Sequence, residues 1–295
     1  MGGGTSLNTR QPRADFPAER ACAAYCLFAS ASCVALRPPG WVWIAAAHGA
    51  VCAIAVAASR VRASRWRAVN WGRAIVPVVL FGPLYGATGR ITAGLPWRVL
   101  HGPVEAADLA LFGGQPSMYL AERFSWLALS EALHLAYFSY YLLLMAAPIH
   151  LLASRRDAEA RYAVLAGSAT MFVCMAFYIW LPVSSPYYLY PPLSPPLSDG
   201  VFYRLVHAVS GRGGVDGAAF PSSHVALSGV SAAFAWRSSR RLGLAVVVPA
   251  LGIVFATVYC RFHFAVDSIA GLALAVAACG VYRPLDMRRD ARPTA

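Results

Sequence analysis

The chain has 295 residues, of which 58% are hydrophobic and 13% are charged, and its mean hydropathy is +0.53. Soluble domains average about 25% charged residues, so the composition excludes an ordinary soluble domain and indicates a protein that crosses a membrane several times. All 25 basic residues are arginines, and they flank apolar segments, so the net charge of +12 does not indicate nucleic-acid binding.

Eight apolar segments of the sequence are candidate membrane spans. Several are shorter than the roughly 20 residues that a bilayer core requires. The first two form an N-terminal hairpin, and the other six form a core. We therefore predict an all-α, polytopic transmembrane bundle of about eight spans. The segments are residues 21–36, 40–58, 74–93, 126–152, 162–183, 222–236, 242–259 and 264–282.

The segments between the spans divide the chain into predicted regions. Residues 95–125 carry apolar residues at roughly helical spacing, which predicts an amphipathic lid on the outer membrane surface. Residues 184–220 begin with prolines that cannot continue a helix, and they form a second outer segment. The regions are a disordered cytoplasmic tail (1–20), a transmembrane hairpin with a basic loop (21–73), a catalytic core (74–282) and a second cytoplasmic tail (283–295).

The arginines predict which side of the membrane each loop occupies. Eighteen of the 25 fall on the side that holds both termini, and positive loops remain in the cytoplasm. Both termini are therefore predicted to be cytoplasmic. The alanine-rich, lysine-free composition is typical of a high-GC bacterium, so a multi-pass protein of a bacterial cell membrane is expected. The outer arginines are Arg37, Arg90, Arg98, Arg123, Arg204, Arg212 and Arg261.

Two short polar motifs lie at the edges of the last three apolar segments. The first is Phe220-Pro-Ser-Ser-His224, and the second is Arg261-Phe-His-Phe-Ala-Val-Asp267. The chain between the two histidines has the pattern of a helical hairpin, which returns to the side of the membrane that it left. Both histidines are therefore expected at one membrane face, on the extracytoplasmic side.

The residue types in these motifs suit phosphoryl transfer. His263 and Asp267 are four residues apart and share a helical face. The carboxylate can accept the proton of one ring nitrogen, which leaves the other nitrogen of His263 as a nucleophile. His224 can protonate the leaving oxygen and later deprotonate the incoming hydroxyl. These three residues are the predicted catalytic set.

Three further residues are predicted to bind the phosphate. Ser222 and Ser223 fall at a helix N-terminus, where free backbone N–H groups and the helix dipole favour an anion. Arg261 precedes His263 by two residues, so its guanidinium can clamp non-bridging phosphate oxygens. The combined set performs phosphoryl transfer without a metal ion.

Glu131 and His134 are ionisable residues inside the fourth predicted span, which makes them functional candidates. A Glu-x-x-His pair is typical of di-iron bundles, but those bundles use two such pairs and only one is present here. A metal site is therefore not predicted. Two interpretations stay open: the pair lines the pocket beside the histidines, or it pairs with an outer arginine.

The motifs resemble two signatures of the type-2 phosphatidic acid phosphatase superfamily. The resemblance rests on Pro221-Ser-Ser-His224 and on His263-x-x-x-Asp267. The longer strings Gly217–His224 and Tyr259–Asp267, with the proline-rich stretch 190–196, are similar to the branch of the aureobasidin-sensitive inositol phosphorylceramide synthases. The resemblance implies a six-helix core, a phosphohistidine intermediate on His263 and a metal-independent reaction without a cofactor.

The chain departs from the superfamily pattern in the residues that clamp the phosphate. The first signature begins with Lys, which this chain lacks, and the third usually opens with Ser-Arg where this chain has Ala256-Thr257. Arg261 is therefore expected to replace the missing clamp. The other candidates from the outer side are Arg90, Arg204 and Arg212.

We predict an integral membrane enzyme whose partners are the bilayer and a lipid phosphate or phosphodiester. Water as acceptor would make it a phosphatase, which the departures and the breadth of the superfamily favour. A lipid or polyol hydroxyl would make it a phosphotransferase, which the longer motifs favour. A non-enzymatic transporter or lipid-binding protein is the rival class, but the inverted repeats expected of a transporter are not evident. The sequence leaves the lipid and the oligomeric state open.

Overall fold

A computed structural model describes residues 16–93, 95 and 100–282. Within these residues the regular structure is helical, and β-type pairing is confined to one isolated bridge between Val183 and Ala218. The predicted all-α fold is confirmed. The helices of the described residues are α1 (Pro17–Leu36), α2 (Trp41–Arg60), α3 (Arg67–Val79), α4 (Phe81–Thr92), α5 (His101–Phe112), α6 (Pro116–Arg123), α7 (Leu127–Ala153), α8 (Asp157–Trp180), α9 (Pro186–Leu189), α10 (Val201–Gly213), α11 (Ser223–Ser238), α12 (Arg240–Tyr259) and α13 (Ala265–Val281).

Six helical segments of the described residues are long and apolar enough to cross a membrane, two fewer than the eight predicted spans. The other two predicted spans form α11 and α13, whose 16 and 17 residues extend about 24 and 26 Å. Both helices are shorter than a bilayer core of about 30 Å. The six longer segments are α1, α2, α7, α8, α12 and the segment Arg67–Thr92, which contains α3 and α4.

The N-terminal hairpin begins earlier in the chain than predicted. α1 starts at Pro17, whose missing N–H costs nothing in the first turn of a helix. Residues 17–20, predicted as part of a disordered tail, are therefore helical. Glu19 in this turn pairs with Arg73 of α3 at 3.1 Å, which joins the hairpin to the core. Residues 1–15 and the predicted tail 283–295 lie outside the described residues.

The two helices that follow the motifs approach each other closely. α11 lies among α7, α8, α12 and α13, and small residues line its contact with α13. A Cβ atom at Gly271 would lie 2.6 Å from the carbonyl oxygen of Ser222, so only glycine permits this approach. The Ser222 N–H donates to the Asp267 carbonyl at 3.0 Å. The starts of α11 and α13 are therefore bonded together.

Shorter helices surround the end of the bundle at which α11 begins and α12 ends, which is called the site end below. The amphipathic segment predicted in residues 95–125 contains α5 and α6, joined at Gly113. Leu109 and Leu111 of α5 are 57% and 65% exposed, whereas Asp108 is buried. α5 contacts α13, α6 contacts α12, and α10 contacts α7.

Candidate active site

His224 and His263 meet at the site end. α11 runs away from this end and α12 returns to it, which brings the two imidazole rings to a centroid separation of 5.9 Å. One phosphorus atom placed between the rings is within reach of both. The structure therefore brings together the two histidines that the hairpin argument placed at one face.

A tight turn between α12 and α13 presents His263. Arg261 adopts a left-handed conformation with φ 62°, which is uncommon for a residue other than glycine. The carbonyl of Thr257 accepts the N–H groups of Phe262 and His263 at 3.0 and 2.8 Å. The backbone at His263 is therefore fixed on the end of α12.

Asp267 lies beside His263 in the first turn of α13. Its Oδ2 is 3.5 Å from Nδ1 of His263 and accepts the Phe264 N–H at 2.9 Å. Asp267 is fully buried, and neither Nδ1 of His263 nor Oδ1 of Asp267 has another hydrogen-bond partner. A small rotation of the imidazole would close the Nδ1–Oδ2 bond. The pair can then hold the proton on Nδ1 and leave the other ring nitrogen free.

His224 is held by aromatic packing. Its ring stacks on Tyr137 with centroids 4.6 Å apart and lies against Tyr140 at 4.3 Å. Nδ1 of His224 is buried and has no hydrogen-bond partner. The two tyrosines of α7 therefore orient the ring without forming a hydrogen bond to Nδ1, which remains available for proton transfer.

The histidines line a cavity of about 430 Å³. This volume is within the usual range for a small-molecule site. The other lining side chains are mainly apolar or aromatic, and no Arg, Asp or Glu of the described residues is among them. Its tyrosines are Tyr85, Tyr137, Tyr140, Tyr141, Tyr187 and Tyr188.

Comparison with protein families matches residues 121–281, more than half of the chain, to the PAP2 superfamily. The chain belongs to the PAP2 superfamily. Membership indicates an enzyme of the lipid phosphatase or phosphotransferase type. No curated protein and no solved structure matches the chain. The match includes α7 to α13 and both histidine motifs, whereas α1 to α5 precede it.

The serines of this PAP2 protein occupy the start of α11. Ser222 is the N-cap and its Oγ accepts the Val225 N–H at 3.4 Å. Ser222 is fully buried, whereas Ser223 lines the cavity beside His224. The structure therefore places Ser223 where an anion could bind, and Ser222 below it as a structural cap.

None of the arginine side chains in the described part of the structure lines the cavity. Arg261 donates from Nε to the Ser117 carbonyl at 3.3 Å and from Nη1 to the Pro191 carbonyl. Burial lowers the pKa of this guanidinium from its ordinary value. Arg90 and Arg204 are exposed on α4 and α10, and the Arg212 side chain lies outside the described part of the structure. The clamp stays a prediction.

Glu131 caps another helix of this PAP2 protein. Its carboxylate accepts the N–H groups of Val201, Phe202 and Tyr203 at 2.8, 3.1 and 3.0 Å, which are the first three amides of α10. It is not among the residues that line the cavity. Glu131 therefore anchors α10 to α7. Separately, no group of three His, Cys, Asp or Glu among the described residues could hold a metal ion.

Gly200 makes this cap sterically feasible, which gives a testable prediction. A Cβ atom at Gly200 would lie 1.9 Å from Oε1 of Glu131. We expect Gly200→Ala to displace the carboxylate and to destabilise the protein by roughly 0.5–2 kcal/mol, because the first three amides of α10 lose the acceptor that caps them. Gly211→Ala on the same helix is the control, since a Cβ atom there meets nothing within 4 Å. Equal thermal unfolding midpoints for the two variants would contradict this role.

His134 belongs to a second histidine pair behind the cavity wall. Its Nδ1 donates to the Ser130 carbonyl at 2.7 Å, and its ring is 5.7 Å from that of His207. His207 was not predicted, since nothing near it in the sequence indicates a site. Burial, together with the nearby His134, lowers the pKa of His207 to about 4. Neutral His207 packs on Phe262, which lines the cavity.

Asp108 is the other residue that the sequence did not single out. It is fully buried and accepts two backbone N–H groups at the start of α13. Its partners are more than 150 positions away in the chain, so no local pattern could reveal them. An acid followed directly by the apolar end of α5 was the available signal.

Proposed function

We propose that this protein is a membrane lipid phosphate phosphatase or phosphotransferase that forms a phosphohistidine on His263. The observation that carries the proposal is the meeting of His224, His263 and Asp267 beside an apolar, tyrosine-lined cavity. Membership of the PAP2 superfamily supports it independently.

The first half-reaction transfers the phosphoryl group to the enzyme. The free ring nitrogen of His263 attacks phosphorus, a P–N bond forms, and the bond from phosphorus to the lipid oxygen breaks. His224 donates a proton to the departing oxygen, so that it leaves as a neutral hydroxyl. Asp267 accepts a hydrogen bond from the Nδ1–H group of His263 and stabilises the positive charge that develops on the ring.

The second half-reaction regenerates the enzyme. His224, now neutral, takes the proton of an incoming hydroxyl, whose oxygen attacks phosphorus. The P–N bond breaks and its electron pair returns to His263. The α11 N-terminus at Ser223 offers N–H groups to the phosphate oxygens in both steps. His224 thus acts as the general acid toward the departing oxygen and as the general base toward the incoming hydroxyl.

The cavity wall supports a lipid substrate. Apart from the histidines and serines, the lining is tyrosine, phenylalanine, methionine and aliphatic side chains. Tyr141 lines the cavity and is 48% exposed, so an opening lies beside it. A lipid chain can occupy the apolar part while the phosphate reaches the histidines. The arginine distribution supports a location of the histidines on the extracytoplasmic side, which we propose for a bacterial membrane.

The acceptor distinguishes the two activities. A phosphotransferase resembling the inositol phosphorylceramide synthases is the second candidate, because the proline-rich stretch contacts the His263 turn through the bond from Arg261 to Pro191. The longer motif strings agree with this alternative, whereas the altered phosphate clamp favours simple hydrolysis.

A lipid screen on purified protein in nanodiscs tests the proposal. The panel contains phosphatidic acid, a prenyl diphosphate, and phosphatidylinositol with ceramide as acceptor. We expect metal-independent turnover of at least one member. Release of inorganic phosphate identifies hydrolysis, and a new radiolabelled lipid identifies transfer. Absence of turnover on every member, in protein that remains folded, would contradict the proposed function.

A further inference from the structure

Asp108 is a fully buried carboxylate on a helix that is otherwise half exposed. Its two oxygens each accept one backbone N–H group of α13: Oδ2 from Ala265 at 3.0 Å and Oδ1 from Val266 at 2.8 Å. Burying a carboxylate without partners is costly, so these bonds account for its presence there. No other described side chain bonds to these two amides.

The first turn of α13 needs such partners. The leading N–H groups of a helix have no intrahelical acceptor. Here the Phe264 N–H bonds to Asp267, and the next two bond to Asp108. Two carboxylates therefore hold three consecutive amides, and this stretch of backbone lies directly between His263 and Asp267.

The rest of the α5–α6 segment holds the same turn from the other side. The Ser117 carbonyl of α6 accepts Nε of Arg261 at 3.3 Å. The Tyr259 hydroxyl donates to the Phe124 carbonyl at 2.7 Å. Residues on both sides of His263 are thus attached to the segment that was predicted to be a lid.

We propose that Asp108 is a positioning residue, which fixes the first turn of α13 and thereby the separation of His263 from Asp267. The inference rests on the proposed function, because it concerns the geometry of the nucleophile and its carboxylate. Nδ1 and Oδ2 are 3.5 Å apart, so a shift of a few tenths of an ångström decides whether they bond. Asp108 itself touches neither the cavity nor His263.

The position of Asp108 at the N-terminal end of α13 suits an acceptor side chain. Burial raises the pKa of its carboxyl, while the hydrogen bonds from Val266 and Ala265 oppose that rise. The negative carboxylate also complements the positive end of the α13 dipole. An asparagine at this position would keep one acceptor oxygen and would turn an NH₂ group toward the second amide.

The test compares Asp108→Asn with Asp199→Asn. Asp199 is an exposed acid of the segment before α10, so its replacement makes the same chemical change away from the site. With the panel lipid that the wild-type protein turns over fastest, we expect Asp108→Asn to lower kcat about 10- to 100-fold. KM should stay within about twofold, because Asp108 does not line the cavity. A kcat equal to that of Asp199→Asn would overturn the inference.

Hydrogen exchange supplies a readout that does not need activity. In the wild-type protein the Ala265 and Val266 amides should exchange as slowly as those in the middle of α13, and in Asp108→Asn they should exchange faster. Unprotected amides in the wild type would overturn the inference even if the variant does not fold. Protected amides together with no turnover on any panel lipid would instead contradict the proposed function and support the cap.

Asp108→Glu serves as a third comparison. It keeps the charge and both acceptor oxygens but lengthens the side chain by one methylene group, so the first turn of α13 must shift. We expect its kcat to fall between those of the wild type and Asp108→Asn. Equal kcat values for all three proteins would exclude positioning through this carboxylate.

Discussion

His263→Ala should abolish turnover of the lipid phosphate, with a loss of roughly 10⁴-fold or more. The nucleophile forms the covalent bond to phosphorus, and no neighbouring side chain can replace it. Removal of a nucleophile from a catalytic set that acts as a unit typically costs about as much as removal of the whole set. His224 is the nearest other imidazole, with its ring centroid 5.9 Å away, and aromatic packing holds it in place.

The phosphoenzyme itself provides the sharper measurement. Wild-type protein mixed with ³²P-labelled lipid and quenched in base should retain label, because a phosphohistidine survives base and is lost in acid. His263→Ala should retain none. His150→Ala is the matched control: His150 is 13 residues along α7 from Tyr137, which corresponds to about 20 Å of helix. Label on His263→Ala, or turnover like that of the control, would exclude His263 as the nucleophile.

The meeting of the two histidines could be predicted because it depends on local rules alone. A proline and an N-capping serine determine where α11 begins, and a basic turn at residues 237–241 joins α11 to α12. The predicted segment 242–259 ends at Tyr259, where α12 ends. Two helices of similar length that run in opposite directions must return the second motif to the first. The spacing of His263 and Asp267 then depends only on the period of a helix.

The supports of the site could not be predicted in the same way. The carboxylates of Asp108 and Glu131 each cap a helix that begins more than 65 positions later in the chain. Arg261 also depends on distant partners, because its guanidinium bonds to the carbonyls of Ser117 and Pro191. Such contacts follow from how the helices pack. An isolated acid or arginine in the sequence does not indicate which distant residue it will contact. The sequence therefore indicated Glu131 as a site residue, whereas the structure shows it as a cap.

The arginine side chains of the described residues do not line the cavity, which limits the groups there that can bind a phosphate. A phosphate in the cavity would meet backbone N–H groups of α11, tyrosine hydroxyls and the two imidazoles, but no guanidinium of the described residues. Among the described residues that line the cavity, the two histidines are the side chains that can carry a positive charge beside the transferred group. Under the proposed mechanism we therefore expect substitution of His224 to have the largest effect on turnover after loss of the nucleophile.

His224→Phe should lower kcat by about 10²- to 10⁴-fold for a lipid alcohol leaving group, which is the usual range for general acid–base catalysis. Phenylalanine keeps a ring between Tyr137 and Tyr140, so packing is preserved and only the proton is removed. The loss should shrink when the leaving group is an aryl oxide, which departs without a proton. Leaving-group dependence therefore separates acid catalysis from damage to the fold.

The pH profile gives an independent check on the same residue. In the wild type, His224 must carry a proton in one half-reaction and lack it in the other, so kcat should follow a bell-shaped curve where chemistry limits the rate. His224→Phe should lose the fall on the alkaline side, because no acid remains to be deprotonated. The acidic limb should persist, since His263 must still be neutral to attack phosphorus. A wild-type profile that is flat, or a variant profile with both limbs intact, would assign the proton transfer to another group. Nδ1 of His224 is buried without a partner beside the cavity, so an intact profile would also leave that atom without a role.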